Sequence, residues 1–109
     1  MGIPKFDNTS IPYLKDFAGD SSNRLGKIFL ASALLETNKI KEAIKVLKEI
    51  NPNENGVYLK QYKSWYLGLA YLNDQKIEQA TDLFKSLNYS GGVYENESKE
   101  ILILINKLQ

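Results

Sequence analysis

Residues 28–35, Ile-Phe-Leu-Ala-Ser-Ala-Leu-Leu, can be laid over residues 65–72, Trp-Tyr-Leu-Gly-Leu-Ala-Tyr-Leu, at an offset of 37. The same offset pairs Ile40 with Ile77, Ala43 with Ala80, Leu47 with Phe84 and Ile50 with Leu87. A register kept across two apolar segments and the turn between them marks a duplicated supersecondary unit. One such unit cannot bury its apolar face alone, so the two copies must stack on each other.

The periods within each copy are helical. In the first, Leu25, Ile28, Phe29, Leu30, Ala31, Ala33, Leu34 and Leu35 cover most of a helix circumference, which predicts a helix buried on more than one side. It is expected to start near Ser22, after the turn and capping residues 19–23, and to end at Glu36 before Thr37-Asn38. Ile40, Ala43, Ile44, Leu47 and Ile50 then form a narrow amphipathic stripe, closed by the loop Asn51-Pro52-Asn53-Glu54-Asn55-Gly56. The second copy repeats this with a helix from about Val57 to Leu72, a break at Asn73-Asp74-Gln75, and a stripe of Ile77, Ala80, Leu83, Phe84 and Leu87. After a break at residues 88–92, a fifth helix is expected from about Tyr94 to Leu108. No alternation of period two argues for a sheet. Pro4, Pro12 and the run Asp7-Asn8-Thr9-Ser10 make residues 1–21 an extended lead-in with at most one helical turn. The expected fold is therefore all-α: antiparallel helix pairs over 22–51 and 57–88, then a terminal helix over 94–108, around the single core that 109 residues can bury.

Composition removes most chemistry. The chain has no Cys and no His, so thiol nucleophiles, imidazole bases and the common zinc and iron ligands are missing. Gly91-Gly92 lacks the pattern of a phosphate cradle, and pairs such as Glu95 with Glu97 or Glu97 with Glu100 read as solvated charges. No nucleophile and base, metal set or cofactor motif can be assembled, which points away from an enzyme and from any cofactor or metal. Fourteen basic residues against thirteen acidic ones give a net charge of +1, too little to favour nucleic acid. No apolar run reaches the ~20 residues of a membrane span.

Leu67-Gly68, Tyr71, Ala80 and Phe84 carry a resemblance: the second unit resembles the tetratricopeptide repeat. In the first unit Leu30-Ala31, Leu34, Ala43 and Leu47 hold the same places. Trp65 sits one residue later than the family's usual tryptophan, the period is 37 instead of ~34, and no proline ends the second unit. With those departures, residues 65–72 followed by Ala80, Leu87, Tyr94 and Ile101-Leu102 are similar to the carboxy-terminal repeats of small tetratricopeptide proteins of Bacteroidetes-type bacteria. The resemblance covers residues 22–108. It implies an α-α superhelix, and a place in the periplasm or cell envelope as part of a larger protein, with the cytoplasm as the alternative.

In such arrays the first helix of each unit lines a concave side where a peptide or partner helix docks. That face is expected to carry Leu25, Ile28, Ser32 and Leu35 from the first unit and Tyr62, Trp65, Leu69 and Leu72 from the second. Tyr62 and Trp65 either anchor a partner, as aromatic side chains often do, or pack against the neighbouring unit or the lead-in. The family's carboxylate clamp is absent, since its Lys and Asn places hold Ile28, Ser32 and Tyr66. The resemblance thus implies an apolar or aromatic contact with a protein or peptide partner. Self-association is the alternative function. Ile101-Leu102-Ile103-Leu104-Ile105 fills a whole turn of ~3.6 residues, so one side can pack inward through Ile101, Leu104 or Ile105 and Leu108, leaving Leu102 and Ile103 for another copy or a partner.

Overall fold

The computed structural model describes residues 24–50 and 56–108, with side chains of 26–50 and 60–108. The expected lead-in 1–21, the start near Ser22, the loop residues 51–55 and the side chain of Leu25 lie outside the described residues. Within them the chain is all-α, with no strand: α1 Arg24–Glu36, α2 Ile40–Lys48, α3 Gly56–Asn73, α4 Ile77–Ser90 and α5 Glu95–Leu108. Each helix packs on the next in sequence except where α1 also reaches α3, so α3 lies at the centre. Among the described residues no helix is long and apolar enough to cross a membrane.

The offset of 37 holds in the backbone of the two short turns. Asn38 and Gln75 both adopt positive φ, 63° and 62°. Their N–H groups donate to Leu35 O and Leu72 O, at 3.1 Å in each case. Lys39 N–H donates to Leu34 O at 2.7 Å, and Lys76 N–H to Tyr71 O at 2.8 Å. Each turn ends one helix with a left-handed residue and starts the next one immediately, which leaves room only for antiparallel neighbours.

Small residues set how closely those neighbours approach. Ala31, Ala43, Ala70 and Ala80 are all fully buried. At Gly68 a Cβ would stand 2.8 Å from Phe84 Cζ, so the Phe84 ring lies directly on the α3 backbone. Phe84 is itself completely enclosed and anchors a cluster with Ala80, Leu87 and Ile105 that joins α4 to α5. A second cluster, Ile28, Ala31, Ile44, Leu47, Ile50, Tyr66, Leu67 and Ala70, joins α1, α2 and α3. Leu30, Ala33 and Leu34 bury the opposite side of α1 against Ala43, which accounts for its nearly continuous apolar sequence.

Several boundaries differ from the sequence expectation, three of them with a clear physical reason. Helix α2 stops at Lys48, before Ile50, yet Ile50 stays 2% exposed because the chain continues inward past the helix end. Lys63 of α3 donates to the Ile50 carbonyl at 2.7 Å, placing a cation at the negative end of α2. Helix α3 starts at Gly56, one residue into the expected loop. Helix α4 runs through Asn88, Tyr89 and Ser90, expected as a break, and ends at Gly91, whose φ of 66° supplies the left-handed cap. The polar character of those three residues reflects an exposed last turn and not a loop.

Two substitutions test these contacts. Ala at an exposed helical Gly gains ~1 kcal/mol from propensity. At Gly68 the enclosed Phe84 ring cannot yield, so overpacking of ~1–3 kcal/mol wins. Gly68→Ala should therefore lower the urea midpoint, and an unchanged or raised midpoint would show the ring to be free. Gln75→Gly should raise the unfolding free energy by ~1 kcal/mol, and the midpoint with it, because it removes the left-handed penalty. Asn38→Gly should gain less, since Asn tolerates that region better.

Candidate partner-binding face

The residues expected on the docking face fall into two groups. Ile28 and Ser32, at 2% and 5% exposed, are closed off. Ile28 is packed into the α1–α2–α3 cluster, and the Ser32 hydroxyl lies beside the Tyr66 phenol. Neither offers surface to a partner in this state. Leu35, Tyr62, Trp65, Leu69 and Leu72 are half-buried. Leu69 and Leu72 lean toward the Phe84 cluster, while Leu35 stays beside α1 and α2.

Tyr62 and Trp65 are brought together by a residue that was not among those expected. Tyr94, in the turn before α5, stacks on Trp65 with ring centroids 4.5 Å apart and planes 2° from parallel. It meets Tyr62 edge-on at 6.0 Å. Trp65 and Phe84 in turn meet nearly at right angles, with ring centroids 5.6 Å apart. Such pairs contribute ~0.5–1.5 kcal/mol each beyond their burial, so the cluster is a fixed shelf. Its inner edge is polar, with Ser32 and Tyr94 both beside the Tyr66 phenol. Tyr66 thereby sits between α1 and the start of α5.

The backbone that delivers Tyr94 is held by Gln61. That side chain is 6% exposed, and its Oε1 accepts the Val93 N–H at 3.3 Å. A Cβ on Gly92 would overlap the Gln61 amide, so any other residue there would push that side chain off its place on the turn. A signal for Tyr94 did exist in the sequence, namely an aromatic residue two positions after a glycine pair. Gln61 gave none, because a buried glutamine looks like any surface one until its partner is placed.

Burial raises the Tyr66 hydroxyl above the usual 10.0; the neighbouring Ser32 hydroxyl opposes this and the Glu36 charge adds to it. Tyr94 is raised further, first by burial and then by Tyr66, Tyr62 and Glu97. At neutral pH both phenols are protonated and available as donors and acceptors. A separate depression of about 460 Å³ opens between the two turns, lined by Asn38, Lys39, Ile40, Lys41, Glu42 and Asp74. It carries no aromatic side chain, and the shelf is the better-built candidate.

No protein-family model matches the sequence, and no match is found among curated proteins or solved structures.

The raised tyrosines make a linkage prediction. Above pH 10.0 the unfolded chain gives up phenolic protons that the folded chain retains, so this part of the stability is complete below pH 10.0 and is lost as pH rises above it. Lys63, pushed below its usual 10.5 by burial, works in the opposite sense below that value, so the comparison must be made between variants. The stability advantage of wild type over Tyr94→Phe should shrink above pH 10.0 by up to ~1.4 kcal/mol per pH unit. Urea melts at a series of alkaline pH values would measure it, and parallel curves for the two proteins would show that Tyr94 is not held in its neutral form by the fold.

Proposed function

We propose that this chain is a tetratricopeptide-type module that binds an extended segment of a protein partner on the shelf of Tyr62, Trp65 and Tyr94, without catalysis. The repeat reading is supported by the correspondence of 37 residues, which extends from the sequence to the bonds of the two turns. The contact of Phe84 with Gly68 is what the small residue of that repeat would serve. A place in a bacterial envelope assembly rests on the sequence resemblance alone.

The observation that carries the binding reading is the half-buried Trp65, clasped by Tyr94 and Phe84 with Tyr62 beside it. Rigid aromatic side chains lose little conformational freedom on contact and account for much of the energy of interfaces. The shelf offers ring surface and phenol oxygens. Ile28, Ser32 and Tyr66 stand where a carboxylate clamp would need cationic or amide groups, so a chain terminus is not the feature recognised. An extended backbone with apolar or aromatic side chains suits it better, its side chains on the rings and its N–H groups toward the phenols.

Panning a displayed library of random linear peptides against the full chain would test this. Selected peptides should shift the emission of Trp65, the one tryptophan. They should bind Tyr62→Ala or Trp65→Ala at least ~10-fold more weakly, at unchanged helicity. Peptides that bind both variants as well as wild type would place the binding surface elsewhere, and a Trp65→Ala chain that no longer folds would make the ring a core element.

A further inference from the structure

Helix α5 turns one stripe inward and another outward. Ser98 and Ile105 are buried, and Ile101 and Leu102 are half-buried against the Phe84 cluster. Leu102, expected as a self-association residue, therefore points into the protein. Ile103 and Leu104 are 48% and 59% exposed, and Leu108 is 87% exposed. Glu100, Ile103, Leu104 and Lys107 follow one another at steps of three, one and three, so they share the stripe opposite the buried one. Glu100 and Lys107 are exposed and take part in no ion pair among the described residues. They stand two turns apart, too far to pair with each other on one helix.

That order, an acid, two apolar residues and a base at equal steps about a centre, is self-complementary when two such helices run antiparallel. We infer that this stripe is the contact surface for a second copy of the chain, paired antiparallel about the point between Ile103 and Leu104. Each Glu100 then lies across from the Lys107 of the second copy, and the Ile103 and Leu104 side chains of both copies meet in the middle. The charges select this arrangement: a parallel pair would set Glu100 against Glu100 and Lys107 against Lys107. The helix dipoles also oppose each other in it. A contact made by one helix from each copy is at the small end of interface sizes, so the pair is a weak one that depends on concentration. This surface is independent of the aromatic shelf, and either can exist without the other.

Sedimentation equilibrium of the full chain from micromolar to millimolar concentration tests the inference. Wild type should show a monomer–dimer equilibrium. Glu100→Lys and Lys107→Glu each turn attraction into repulsion at both symmetry-related contacts, and should weaken the dimer about tenfold, or ~1.4 kcal/mol. The double variant Glu100→Lys plus Lys107→Glu should return to the wild-type constant, because the pairing is restored with its signs exchanged. Leu104→Glu should leave a monomer with unchanged helicity, since the side chain it replaces is exposed. A wild-type chain that is monomeric throughout overturns the inference. So does a dimer indifferent to the single reversals, or one that the double variant fails to recover.

Discussion

The distance between α3 and α4 is set where the Phe84 ring rests on Gly68, and most other contacts depend on it. With any side chain at 68 the two helices would have to separate or the ring would have to turn out of a fully enclosed place. The ring has other neighbours as well. It meets the Trp65 ring nearly at right angles, and its cluster with Ala80, Leu87 and Ile105 is where α5 docks. A single close approach thus fixes the second helix pair, the floor under the aromatic shelf and the seat of the terminal helix.

The first helix pair is held differently. No aromatic ring fills its crossing; Ala31, Ala43 and Leu47 do so instead, all fully buried. Polar ties at the periphery add to it, with Lys27 on Glu49 at 3.3 Å inside the pair and Lys63 on the Ile50 carbonyl at 2.7 Å toward α3. The exposed part of such ties contributes little, and their value is in fixing where the chain leaves α2. Tyr66, 8% exposed with Ser32 and Tyr94 beside its phenol, does the corresponding work on the face where α1 and the start of α5 converge.

The helices and their pairing were legible because helical period and the offset of 37 report the same order twice, once in side chains and once in turn residues. Ala43, Gly68 and Ala80 were legible for the same reason, since small residues at equivalent places in two copies mark crossings. The end of α4 was not, because Asn, Tyr and Ser are equally at home in a loop and in an exposed last turn, and only the positive φ at Gly91 decides. The phase of α5 was not legible either. Five consecutive apolar residues fill every direction of the helix, and the inward set is chosen by Ser98, a buried polar residue that no hydrophobic pattern selects. Among the described residues its hydroxyl has no hydrogen-bond partner.

Tyr94 joins parts of the molecule that the sequence presents separately. Its carbonyl accepts the Ser98 N–H at 2.9 Å and so begins the α5 ladder, while its ring covers Trp65 and its hydroxyl reaches Tyr66. The residue therefore cannot leave the shelf without reworking the first turn of α5, and α5 cannot detach without uncovering Trp65. Against this, α5 buries only Ile105 and Ser98 fully, with Ile101 and Leu102 in part, and ends in an exposed Leu108. An element with so few enclosed side chains belongs to the less stable end of a fold, where opening costs least. The order of the terminal helix and the accessibility of the tryptophan are consequently two readings of one equilibrium, with the aromatic stack and the Gln61 tie to Val93 setting its balance.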